Sequence, residues 1–110
     1  MKEIAIGLLA FIHQTNTSGR AEWDVFPRPV QVFVDYVYNS GIWDGAFREK
    51  LKALESMKPS DMTLSDLNSY FTAIVCIERS FGGFVEQKTY DGTLEALLTR
   101  YLELIGEGTR

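Results

Sequence analysis

The run Tyr70-Phe71-Thr72-Ala73-Ile74-Val75-Cys76-Ile77 limits what this chain can fold into more than any other stretch. It lies within Thr63–Gly83, where Leu67, Phe71, Ile74 and Glu78 descend one helical face and Leu64, Tyr70, Ile77 and Phe81 the next. Over about two turns no face is left for water, and a helix that is apolar all round belongs inside a core. Thr63 with Asp66 resembles a reciprocal helix-start box, with the acid where the dipole is positive. Gly82-Gly83 is a helix stop. The expected architecture is therefore mainly α: a single bundle of about five helices around a buried central helix, 63–82, with the first, second and last helices surrounding it.

The length of 110 residues suits one domain spanning 1–110. Eleven basic against 15 acidic side chains leave a net charge of −4, which favours solubility and argues against sequence-independent nucleic-acid binding. The lone Cys76 has no disulfide partner in the chain and reads as a small buried hydrophobe of a reducing compartment. The apolar run Ile4–Ile12 is too short to span a bilayer and lacks a small-residue cleavage site, so a cytoplasmic protein is expected, with no membrane contact.

The first helix is expected over 2–14, on Ile4, Leu8, Phe11 and Ala5, Leu9, Ile12, with Thr15-Asn16-Thr17-Ser18-Gly19 as the turn that ends it. The connection 15–28 carries Trp23 and Phe26, which read as a loop tucked against the body or as a binding loop. For 28–40 two periodicities compete. Val30, Phe33, Val34 and Val37 fit a helix; Val30, Val32, Val34, Tyr36 and Tyr38 alternate as in a strand. Helix is preferred, because Pro29 suits a first turn and Asn39-Ser40-Gly41 a stop. A third helix runs from an Asp44 cap to about Met57, with Phe47, Leu51 and Leu54 inward. Residues 84–92 fit half a hairpin or one to two helical turns equally well. Asp91-Gly92-Thr93 starts a last helix on Leu94, Leu97, Leu98, Tyr101, Leu102 and Ile105, stopped by Gly106.

The chain has no recognisable catalytic set. His13 is its one histidine, and nothing near it in sequence supplies the nucleophile and orienting group that a general base needs. No Cys/His cluster has metal-ligand spacing, and Gly82-Gly83 lacks the frame of a phosphate loop, so neither a metal nor a cofactor is expected. Arg48, Lys50, Lys52 and Lys58 form a basic cluster diluted by Glu49 and Glu55, and read as a solvated face. Glu78 and Arg79 stand out as charges closing an apolar helix. They are either a structural ion pair, Arg79 with Asp91 or Glu86, or a polar pocket of Glu78, Arg79, Tyr90 and Asp91. The aromatic content of 13% exceeds what one small core hides comfortably, and Trp23, Phe26, Tyr36 and Trp43 are the candidate interaction surface.

Trp23, then Phe26-Pro27-Arg28-Pro29-Val30-Gln31-Val32-Phe33, Tyr38-Asn39-Ser40-Gly41-Ile42-Trp43, Asp66-Leu67, Thr72-Ala73, Arg79, Gly83 and Asp91-Gly92 follow one another in an order and spacing that resembles domain of unknown function 6508, a family of small bacterial proteins. The resemblance covers roughly 20–104. It implies the helical layout and points to Arg79, but the family brings no assigned reaction. Where similar proteins tend to have a phenylalanine after the arginine and an acid before the glycine, this chain has Ser80 and Gly82. The expected function is a non-catalytic interaction module, binding a protein partner or a second copy of itself through exposed aromatics. An inhibitor carried by a phage or mobile element is a sub-case. The alternative is a small ligand-binding domain or enzyme using the polar pocket at the end of the central helix.

Overall fold

The computed structural model describes residues 2–18, 26–39, 47–80 and 82–106. Among them are six α-helices and one short 3-10 helix, with no strand: α1 (Lys2–Ser18), α2 (Arg28–Asn39), α3 (Phe47–Ser56), the 3-10 turn Pro59–Asp61, α4 (Leu64–Ser80), α5 (Phe84–Tyr90) and α6 (Thr93–Gly106). The mainly α expectation holds. None of the described helices is long and apolar enough to cross a membrane.

The central helix forms as its residues dictate. Thr63 Oγ1 accepts the Asp66 N–H at 3.2 Å, and Asp66 Oδ2 accepts the Thr63 N–H at 3.0 Å. Two of the amides that a helix start leaves without intrahelical partners are thereby satisfied. Leu67 and every residue from Ser69 to Val75 are buried. The buried Thr72 hydroxyl donates back to the Asn68 carbonyl at 2.8 Å, so the one polar residue in the apolar run costs little to bury.

In α2 the helical period prevails over alternation. Val30, Phe33 and Val37 are buried while Val32 and Tyr38 are exposed. A β-branched run becomes strand only where a sheet can receive it, and no strand lies among the described residues. Phe33 meets Phe71 edge-on at 5.4 Å, and Phe71 meets Tyr101 at 5.9 Å, which pins α2, α4 and α6 together at mid-height.

Two expectations are corrected and one open choice is decided. First, α1 runs through Thr15 to Ser18 instead of turning after residue 14. Thr, Asn and Ser disfavour helix by only about 0.7 kcal/mol each at most, and an established helix gains a bond per residue added. Second, of the two readings left open for 84–92 the helical turns hold, and 84–90 is a helix. Third, the neighbours of α4 are α2, α3, α5 and α6, whereas α1 packs chiefly on α2 and α6. Leu8 and Ile12 of α1 still join the same hydrophobic cluster, reaching it between those two helices. The Asp44 cap, Trp23, Trp43, Phe81 and the last four residues lie outside the described residues.

Candidate functional site

The four residues expected to make a polar pocket do separate jobs. Glu78 reaches past the end of α4. Its carboxylate accepts the Gly83 N–H at 3.1 Å and the Val85 N–H at 2.8 Å. Gly83 is the N-cap of α5 at φ +96°, a left-handed conformation suited to glycine, and it has no side chain with which to cap. Glu78 supplies that cap from the preceding helix, and its charge also suits the positive end of α5. The Arg79 guanidinium lies over the Tyr38 ring, 4.4 Å from its centre, and is held there instead of by Asp91 or Glu86. Asp91 Oδ1 accepts the Thr93 N–H at 2.8 Å and so caps α6. Tyr90 ends α5 half-buried.

Of these four, Asp91 lines a cleft. That cleft, of about 390 Å³, opens between α3, α5, α6 and the 3-10 turn. Leu54, Met57, Met62 and Leu97 give it apolar walls, and Glu55, Lys88, Asp91 and Tyr70 bring polar groups to it. Tyr70 is 5% exposed. Burial raises its phenol above the ordinary range, and the carboxylates of Glu55 and Asp91 raise it further. Periodicity marks Tyr70 as core, which it is; that it also lines a cleft depends on where α3 and α6 pass, and no local pattern encodes that.

A second depression, of about 330 Å³, lies between the N-terminal halves of α1 and α2. Ile4, Gly7, Leu8, Pro29 and Val32 line it, with Glu3 and Arg28 also contributing. Its lining is almost wholly apolar, and a methyl group built on Gly7 would meet nothing within 4 Å. Next to Gly7 in α1, Ile6 stands 49% exposed. Of the expected aromatic surface, Phe26 packs against the core and Tyr36 is half-buried, while Trp23 and Trp43 lie outside the described residues. The exposed aromatic among the described residues is Tyr38, 46% accessible beneath Arg79.

His13 acquires the partner that its sequence neighbourhood lacks. Its Nε2 lies 2.9 Å from Glu95 Oε2, joining α1 to α6 across 82 positions of sequence. The pair is well exposed, at 61% and 36%, where such contacts stabilise by at most about 1 kcal/mol. Cys76 is half-buried; burial pushes its thiol up, while Arg48 and Arg79 pull in the opposite direction. No group of three or more His, Cys, Asp or Glu that could hold a metal ion occurs among the described residues. Comparison with protein-family models, curated proteins and solved structures returned no match.

Proposed function

We propose that this domain is a non-catalytic protein-interaction module that seats an apolar segment of a protein partner in the groove between α1 and α2. The observation that carries the reading is the open space over Gly7, walled by Ile4, Leu8, Pro29 and Val32. Burying exposed aliphatic surface is the main source of binding free energy, and an amphipathic partner helix fits such a furrow by its apolar face. Glu3 and Arg28 bring opposite charges to the groove and fix the direction in which a partner lies. The lone thiol of Cys76 and the acidic balance fit work in the cytoplasm. The likeness to domain of unknown function 6508 agrees with the helical layout and adds no reaction.

The test fills the groove from within. Gly7→Leu places a side chain in empty space and favours the helix, so the fold stays intact while the seat is blocked. Val32→Glu puts a charge on the same wall. Immobilised wild-type protein should retain a partner that neither variant retains, with all three proteins showing the same helical circular dichroism. Equal retention by all three overturns the reading.

A further inference from the structure

The groove between α1 and α2 carries a knob beside its hole. The space over Gly7 is open, and Ile4, Leu8, Pro29 and Val32 wall it. Ile6, one residue before Gly7, is 49% exposed, the most exposed of the large hydrophobic side chains among the described residues. Val32, on the wall itself, is exposed too. Single exposed aliphatics are ordinary, but two at the rim of one apolar hole mark a contact surface.

The charges at the rim state what kind of partner fits. Glu3 and Arg28 are the charged residues lining the groove, and both are exposed. Neither side chain makes an ion pair with a described residue. Together they leave the groove neutral, although the whole chain carries −4. Such a surface selects neither a basic nor an acidic partner. It selects one that sets a charge of each sign beside an apolar knob, and the chain itself presents that set. In a two-fold contact each half of a patch meets the other half of its copy, so an acid and a base on one patch pair crosswise. The knob and the hole obey the same rule. Because they lie one residue apart, the contact closes on two copies instead of running on as a filament. The groove has seven lining residues, against roughly 20–30 a side in a standard interface, so the resulting dimer is a reversible one.

We propose that the occupant of the α1/α2 groove is a second copy of this chain, with Ile6 of each copy seated over Gly7 of the other and Glu3 of each facing Arg28 of the other. The inference rests on the groove reading given above and narrows its partner to the chain itself. Burial of Ile6 and Val32 supplies the attraction, and the two crosswise charge pairs fix the register of the copies.

Sedimentation velocity on the whole chain, at protein concentrations up to millimolar, reads the association directly. The wild type should pass from monomer to dimer as concentration rises, without larger species. Ile6→Ser removes the knob and leaves the groove as it is; Gly7→Leu fills the hole. Each should weaken the dimer about tenfold, with unchanged circular dichroism. Glu3→Arg and Arg28→Glu each set like charges against each other across the contact and should also weaken it about tenfold. The double variant Glu3→Arg with Arg28→Glu restores opposite charges and should recover wild-type association. A wild type that stays monomeric at millimolar concentration overturns the inference. So does a dimer that Ile6→Ser and Gly7→Leu leave intact, or a double charge variant that associates no better than the single ones. The groove reading is judged separately. If the chain is monomeric yet retains another protein that Gly7→Leu does not retain, the groove stands and its occupant is not a second copy.

Discussion

The two ends of α4 handle polarity in opposite ways. At its C-terminal end Glu78 and Arg79 look like a site in sequence, and each is used by the fold: one carboxylate holds two amides of α5, and one guanidinium covers a ring of α2. In its N-terminal half Tyr70 looks like plain core, yet it also lines a cleft and makes no hydrogen bond among the described residues. A charge at the end of an apolar helix is therefore poor evidence for a site until its neighbours have been searched for orphan amides.

Removing groups at the two ends should expose that contrast. Glu78→Ala should cost the most. It leaves the Gly83 and Val85 amides without their acceptor and should lower stability by about 1–3 kcal/mol, read as a drop in urea midpoint. Amide exchange should quicken first in α5, which is short and depends on that cap. A neutral result would mean that the contact is solvated and that this end of α4 is as open to a ligand as the other.

Gly7→Ala is next and has the opposite sign. The added methyl meets open space in a helix, so stability should rise by up to about 1 kcal/mol in thermal melts. A loss would mean that the groove is narrower than its walls indicate.

Alkaline titration probes the Tyr70 end directly. Burial raises Tyr70, helped by Glu55 and Asp91, and burial raises Tyr101, helped by Tyr36. The unfolded chain therefore gives up these protons first as pH rises. The stability they contribute is complete below their ordinary value of 10.0 and is lost as pH climbs from there through the folded values. Urea midpoints should fall across that window, and less steeply in Tyr70→Phe. An unchanged slope in that variant would place the Tyr70 hydroxyl in ordinary solvent.

At neutral pH Tyr70→Phe should change stability least. No bond within the described protein is lost, so stability should stay within about 0.5 kcal/mol of wild type. A large loss would reveal a partner and return Tyr70 to the status of Glu78.

Much of the layout is legible in residues alone. The Thr63/Asp66 box, the unbroken apolar run and the leucine repeat of α6 are local signals with a period or a fixed spacing, and each helix they announce is present. Even α2 yields to its helical period once alternation has no sheet to serve. Signals resting on propensity alone are weaker: polar residues after 14 do not turn the chain, and 84–90 is a helix on a cap borrowed from Glu78.

What these residues settled unaided is that a mostly helical chain must bury the middle of α4, because apolar side chains on every face of a helix have nowhere else to go. Tertiary structure alone decided what the polar groups do. Glu78 with Val85, Arg79 with Tyr38, His13 with Glu95 and Tyr70 with its cleft are relations between elements. Burial follows from the period of one helix, whereas a hydrogen bond or a pocket depends on where several helices cross, and that geometry comes from packing the whole core at once.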